Sequence, residues 1–284
     1  MDASLLATMR GTGAGIEARA WLIDDSDDDL ARTLRDASPP AGASAEALER
    51  WRASGLRVVS LPAGELETWL ARSSLSGALS RDWLGLSPGW MTLTTGPVST
   101  EDVTLWSGRL NLDSGRPRLL LRSWVRPASA ALEPVLRVEL LPELLLPDRR
   151  TARERLLEGV VGPAGDDVSR GVAMDSLKLG IEPAPGRVIV IVAEEPGVAW
   201  DSVSRVRRGE LAGDEPQQVR AGDDDVVGPM PLPELSFGPP EPQDRTFGEV
   251  LLGATVGPFG TSTSRRAVIA LVPRMPADTG SAGR

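Results

Sequence analysis

The side chains that carry most enzymatic chemistry are almost missing from this chain. Its 284 residues include no histidine, no cysteine and no tyrosine, and Lys178 is the only lysine. Imidazole is the usual general base near neutral pH, and thiolates and imidazoles are the usual ligands of zinc. The composition therefore predicts a protein that is not an enzyme and holds no cofactor. The 40 Asp and Glu residues leave carboxylate-only hydrolysis open as the alternative.

One group of acidic residues has the spacing of a calcium-binding loop. Asp25, Asp27, Asp29, Thr33 and Asp36 fall at the first, third, fifth, ninth and twelfth positions of such a loop. The sixth position lacks the usual glycine, and the last ligand is aspartate instead of glutamate. Acidic residues also cap helix N-termini and complement the helix dipole. Both interpretations, a calcium site and helix capping, follow from this spacing.

The segment Gly85–Gly89 has the G-x-S-x-G spacing of a nucleophile elbow, with Ser87 in the place of the nucleophile. A hydrolase of that type needs a histidine to accept the serine proton, and Pro88 has no N–H to donate to an oxyanion. We therefore interpret this segment as a turn. Lys178 lies where polar and apolar residues alternate, which predicts the solvated face of a strand over residues 174–181.

The eight tryptophans supply most of the aromatic volume, because the chain has only three phenylalanines. Trp51 and Trp69 occupy core positions of predicted helices. Trp106 and Trp124 lie on predicted strands, and they are candidates for stacking on a ligand such as a sugar ring. The other interpretation is that they fill the core.

The charge of the chain bears on its partners and its compartment. A formal net charge of −9 disfavours binding to nucleic acid. The sequence has no run of about 20 apolar residues, so we expect no membrane insertion. The N-terminal residues Met1–Leu6 lack the basic and apolar pattern of a signal peptide. We expect a cytoplasmic protein from the sequence as written, or one of the cell envelope if the start codon is misassigned.

The hydrophobic pattern predicts an α+β fold that is rich in β-strands. Residues 16–80 are predicted to form a small α/β module, packed on or linked to a mainly antiparallel β domain. That domain covers residues 89–208 and 246–275. Three further segments are predicted to be irregular: a flexible N-terminus (1–15), a loop rich in proline, glycine and acid (209–245) and a frayed tail (276–284).

Strands and helices can be placed within both predicted domains. The module is predicted to contain strands at 16–23 and 56–61 and helices at 30–36, 44–51 and 62–73. The β domain is predicted to contain strands at 91–95, 103–106, 109–112, 118–125, 135–141, 174–181, 187–193 and 267–272, and helices at 151–159 and 247–252.

Two segments resemble the small α/β ring-building modules of bacterial secretins. Leu48–Val59 reads LERWRASGLRVV, a helix that runs into a strand, and Arg265–Pro273 reads RRAVIALVP at the end of the β-rich part. This resemblance implies a non-enzymatic, self-associating or scaffold role at the cell envelope.

The sequence as a whole predicts a structural or protein-interaction protein with a protein partner or a second copy of itself. The alternative is a carbohydrate-binding module, or a glycosidase that uses exposed tryptophans and an Asp/Glu pair.

Overall fold

The computed structural model describes residues 13–24, 29–35, 37–127, 134–147, 171–194, 245–253 and 265–274. All of these residues belong to one compact unit. The predicted helix at 151–159 and the predicted tail lie outside the described residues. The same holds for the N-terminus up to residue 12 and for the predicted loop apart from Arg245.

The described part of the chain forms twelve β-strands and four α-helices. In chain order they are β1 (Gly15–Asp24), α1 (Asp29–Arg35), α2 (Ala45–Ala53), β2 (Leu56–Pro62), α3 (Ala63–Arg72), β3 (Ser74–Gly85), β4 (Met91–Thr95), β5 (Asp102–Leu105), β6 (Gly108–Asn111), β7 (Arg116–Arg126), β8 (Val135–Leu145), β9 (Gly171–Ala173), β10 (Leu179–Ile181), β11 (Arg187–Ala193), α4 (Phe247–Leu252) and β12 (Arg265–Arg274). The fold is α+β and rich in antiparallel strands, as the hydrophobic pattern predicted.

The first sheet has five strands in the order β2-β11-β12-β1-β3, and neighbouring strands are antiparallel. Strands from both predicted domains share this sheet, because β1 pairs with β12 and β2 pairs with β11. The pairing therefore differs from the predicted division into a module at 16–80 and a separate β domain. Hydrophobic periodicity identifies a strand but not its partner, and that is the physical reason for the difference.

The second sheet has the order β10-β8-β7-β4, again antiparallel, and β9 also pairs with β8. Its longest pairing joins β7 and β8 over eleven positions, from Arg116 opposite Leu145 to Arg126 opposite Val135. Strands β5 and β6 form a separate hairpin. This long pairing sets which side chains of β7 and β8 face each other across the sheet.

The main hydrophobic core lies between the two sheets. Alternate residues of the first sheet, such as Ile189 and Ile191, join alternate residues of the second, such as Leu119 and Leu121, in one buried cluster. Helix α2 adds Trp51, and α4 adds its apolar side chains to the same cluster. The opposite face of the first sheet is also buried, and α3 packs there on β2 and β11.

Helix α4 is held by its own cap and by a close approach to the turn before β2. Thr246 and Glu249 form a capping box, in which the side chain of each residue accepts a hydrogen bond from the backbone N–H of the other. Gly55 has a φ of +77°, and a Cβ atom there would overlap the Thr246 side chain. The Gly248 N–H also donates to the Ser54 carbonyl at 2.9 Å. This docking places α4 against both sheets.

Two predictions about strands need correction. No strand is predicted between residues 74 and 85, yet β3 occupies that whole stretch. Its pairing with β1 contains three register shifts, which break the regular alternation that identifies a strand. The predicted strand at 174–181 is also wrong in part, because a 3-10 turn occupies Asp175–Leu177 and the strand begins only at Leu179.

In the described ranges, no helix has the length and apolar character that crossing a membrane requires.

Candidate functional site

The candidate site lies on the face of the second sheet that points away from the core. Side chains alternate along β7 and β8, so the residues between the core positions point to this opposite face. The antiparallel register places Arg122 opposite Glu139 and Trp124 opposite Arg137. Neighbours across two strands are close enough to interact directly.

Arg122 is fixed by two aromatic rings and a carboxylate. Its guanidinium carbon lies 4.6 Å from the ring centroid of Trp90 and 5.3 Å from that of Trp124. Both distances are within the range of cation–π attraction. Two of its nitrogens, Nε and Nη2, lie 2.7 and 2.6 Å from Oε2 of Glu139. The guanidinium is therefore held in one place.

The only lysine of the chain joins the same group. Nζ of Lys178 lies 3.0 Å from Oε2 of Glu139 and 5.9 Å from the ring centroid of Trp90. Burial alone raises the pKa of the Glu139 carboxyl. Hydrogen bonds from Lys178 and Arg122, together with their positive charges, lower it by more, so this pKa lies below its ordinary value of 4.5. Glu139 is consequently an anion near neutral pH.

A second group forms beside the first around Glu182, which directly follows β10. Oε1 of Glu182 lies 3.1 Å from Nη1 of Arg137 and 3.3 Å from Nη1 of Arg126. Arg137 reaches Glu182 by crossing β10 above Gly180, where a Cβ atom would overlap its guanidinium. The absence of a side chain at Gly180 thus leaves room for the Arg137 side chain to reach Glu182.

We call this surface the Trp–Arg face and define it by eight residues: Trp90, Arg122, Trp124, Arg126, Glu139, Arg137, Lys178 and Glu182. Its four cations share two carboxylates, which leaves a charge of +2. The cationic side chains are 28 to 52% exposed, whereas the two carboxylates are 13 and 26% exposed. Arg122 and Lys178 are therefore more exposed than Glu139, and Arg126 is more exposed than Glu182, whereas Arg137 and Glu182 are about equally exposed.

Trp90 is positioned by the segment that carries the G-x-S-x-G spacing. The Ser123 N–H on β7 donates to the Ser87 carbonyl at 2.6 Å, and the Ser87 N–H donates to Oγ of Ser123 at 3.2 Å. The Ser87 hydroxyl donates to the Gly89 carbonyl at 2.9 Å. The segment is a bend that ties the chain before Trp90 to β7.

The two tryptophans that the sequence indicated lie in different surroundings. Trp124 belongs to the Trp–Arg face. Trp106 follows β5, is 44% exposed, and donates its indole N–H to Oγ of Ser176 at 3.3 Å. The Arg50 guanidinium lies 5.7 Å from its ring centroid. Trp106 is thus the more exposed ring, and Trp124 lies in the more charged setting.

The calcium candidate lies mostly outside the described residues. This applies to Asp25, Asp27 and Asp36, whereas Asp29 begins α1 and its side chain is outside the description. Within the described stretches, no group of three or more acidic residues is arranged to hold a metal ion. The calcium site stays a prediction.

Glu139 and Glu143 suit charge pairing better than glycoside hydrolysis. Glu139 and Glu143 lie four residues apart on one face of β8, a spacing of roughly 13 Å along a strand. Glycosidases need carboxylates no more than about 9.5 Å apart, one of them protonated. Glu143 forms a buried ion pair with Arg118, and the low pKa of Glu139 keeps it ionised. This pair therefore lacks both the spacing and the proton.

Among the residues of the Trp–Arg face, sequence reasoning named Trp124 as a ligand-binding candidate and discussed Lys178 only as a residue on a solvated strand face. The alternation of Arg118, Arg122 and Trp124 along one strand was a usable signal for a charged and aromatic face. The contributions of Trp90, Glu139 and Glu182 depend on strand register and on the bend at Ser87, which a single sequence does not specify.

No protein-family model, no curated protein and no solved structure matches this chain.

Proposed function

We propose that this protein is a non-enzymatic binding protein that holds a protein partner on the Trp–Arg face. The observation that carries the proposal is that four cations share two carboxylates there, beside two half-buried tryptophans. Tryptophan and arginine are the residue types most enriched among the energetically dominant residues of protein interfaces. A surface of this composition suits binding.

The fixed conformation of the arginines in the face also supports a binding role. Arg122 is already held by two rings and by Glu139, and Arg137 is already held above Gly180 by Glu182. Association normally costs about 0.5–1.5 kcal/mol for each long side chain that becomes ordered. Side chains that are ordered beforehand avoid most of this cost.

The composition supports the non-enzymatic part of the proposal. Without histidine, cysteine or tyrosine, and with one lysine, the chain has few groups that transfer protons or attack bonds. The lysine itself is paired with Glu139 at 3.0 Å. Its ammonium therefore favours binding of charge over nucleophilic attack.

The proposal can be tested by affinity enrichment from extracts of the source cells, using the full chain as bait. The variant Arg126→Glu reverses an exposed charge of the face, and Arg72→Glu reverses an exposed charge at the end of α3 as the matched control. We expect proteins that the wild type and Arg72→Glu enrich equally, and that Arg126→Glu enriches roughly fivefold less. Equal enrichment by all three baits, or none above the empty matrix, would contradict the proposal.

Carbohydrate binding is the second candidate, because Trp106 presents a 44% exposed ring. The ring of Trp90, by contrast, already has Arg122 and Lys178 over it. Binding on a glycan array that disappears in Trp106→Ala but persists in Arg126→Glu would favour this candidate over the protein partner.

A further inference from the structure

The spacing of the charges on the Trp–Arg face indicates which kind of protein segment it binds. This inference rests on the proposed function. We infer that the face binds an extended acidic peptide whose carboxylates occupy positions i and i+2.

The cations of the face form two sets along the strand direction. The first set is Arg122 and Lys178 around Glu139, and the second is Arg126 and Arg137 around Glu182. Each set holds two positive charges and one negative charge. Each can therefore accept one further carboxylate and reach neutrality.

The spacing of the two sets follows from the register of the sheet. Arg122 is opposite Glu139, and Arg137 is two residues away from Glu139 on β8. Two residues along a strand span about 7 Å. An extended peptide places the side chains of residues i and i+2 on the same side at about the same separation. Adjacent acidic residues point to opposite sides, so they reach only one set.

The depth of the charged groups favours an incoming anion. Arg122 and Lys178 are more exposed than Glu139, and Arg126 is more exposed than Glu182, so a carboxylate that approaches from solvent meets a positive charge first at each set. The rings of Trp90 and Trp124 lie over the Arg122 guanidinium and shield one part of the first set from water, which strengthens the attraction. Arginine also binds carboxylates in a planar, two-pronged geometry.

The overall charge of the protein favours an acidic peptide over a nucleic acid. A chain with a net charge of −9 repels a continuous polyanion over the distance of the Debye length. A peptide with two carboxylates meets much less repulsion, and two carboxylates balance the charge of the face.

The test is fluorescence-polarisation titration of the full chain with two labelled peptides of identical composition. One peptide carries two glutamates at positions i and i+2, and the other carries them at adjacent positions in the same glycine–serine background. We expect the first peptide to bind roughly tenfold more tightly than the second. Arg126→Glu should remove this preference, and Arg72→Glu should keep it.

Three results would overturn the inference. The first is equal affinity for both peptides, and the second is a preference that Arg126→Glu leaves unchanged. The third is tight binding of a single-stranded oligonucleotide in place of either peptide. If the peptides fail but Arg126→Glu still loses the enriched cell proteins, the acidic-peptide inference falls and the proposed function stands. If neither the peptide titration nor the enrichment experiment gives its expected result, both the inference and the proposed function are wrong.

Discussion

Glu139 fixes two cations of the Trp–Arg face, and its protonation state controls that arrangement. Its carboxylate accepts from Arg122 and Lys178, and these contacts depress its pKa in the folded protein despite burial. A group with a depressed folded-state pKa stabilises the fold above its unfolded pKa. That contribution disappears as the pH falls through this value towards the lower folded-state pKa.

The variant Glu139→Gln tests this role. We expect it to lower the free energy of unfolding by about 1–2 kcal/mol at pH 7, because two charge-assisted hydrogen bonds are weakened. The difference from the wild type should shrink as the pH falls below 4.5. Urea denaturation at several pH values measures this difference. The control is Glu49→Gln, which changes an exposed glutamate of α2. A difference that is constant from pH 7 to pH 3 would exclude the assigned role.

Gly180, which lies under the Arg137 guanidinium, offers a second test of the face by a single substitution. In Gly180→Ala the added Cβ overlaps the Arg137 guanidinium, so this guanidinium must shift from its position beside Glu182. We expect several-fold weaker binding of the i, i+2 acidic peptide while the free energy of unfolding changes by less than ~1 kcal/mol. Gly64→Ala is the control, since no atom lies within 4 Å of its added Cβ. Unchanged peptide affinity in Gly180→Ala would count against Arg137 as a binding residue.

At the scale of elements, helix α4 depends on its N-terminal cap. The Thr246 hydroxyl accepts from the Glu249 N–H at 3.3 Å, and the Thr246 N–H donates to Oε2 of Glu249 at 2.7 Å. We expect Thr246→Ala to lower the free energy of unfolding by about 0.5–2 kcal/mol and Thr246→Ser to lower it much less. Urea denaturation of both variants distinguishes them. Equal losses would mean that packing, and not the hydrogen bond, makes this residue important.

The elements were largely predictable from the sequence because local patterns encode them. The helix predicted at 44–51 is α2, which begins after Ser44, and the Ser44 hydroxyl accepts from the Ala47 N–H as a helix cap. Strands β4 and β11 have the predicted bounds. Strand β3 was not predictable, since bulges interrupt its alternation. The pairing of β1 with β12 joins residues from 241 (Asp24 with Arg265) to 259 (Gly15 with Arg274) positions apart, which no local pattern connects.

At the scale of the whole molecule, Glu17 ties the first strand to the last. It is fully buried and pairs with Arg19 at 2.6 Å on its own strand, with Arg81 at 2.8 Å on β3 and with Arg274 on β12. Burial raises the pKa of this carboxyl, but hydrogen bonds from Arg81 and Arg19 and their charges lower it by more, so the pKa lies below 4.5.

We expect Glu17→Gln to lower the free energy of unfolding by about 3 kcal/mol at pH 7, because breaking a buried ion pair removes its compensation. The loss should shrink as the pH falls below 4.5, because the carboxyl of the unfolded wild type is protonated first and the stabilisation by the folded carboxylate then disappears towards its lower folded-state pKa. Thermal and urea unfolding measure this loss of stability. The control is Glu65→Gln, which changes an exposed glutamate of α3. A wild-type stability in Glu17→Gln would show that this cluster does not hold the first sheet together.

The Trp–Arg face combines local and long-range information, and only the local part was predictable. The alternating residues of β7 are visible in the sequence. The approach of Lys178 to Glu139 spans 39 positions, and the approach of Arg126 to Glu182 spans 56. Such contacts follow from the strand order β10-β8-β7, which the sequence pattern does not contain.

Hydroxyl-radical footprinting of the tryptophans tests most directly whether the Trp–Arg face is the binding surface. The full chain is oxidised with and without its enriched partner, and each ring is quantified by mass spectrometry. Trp106, which is 44% exposed and lies outside the face, serves as the internal control. The account predicts that the partner protects Trp90 and Trp124 and leaves Trp106 unchanged. Protection of Trp106 alone, with Trp90 and Trp124 oxidised as before, would contradict it.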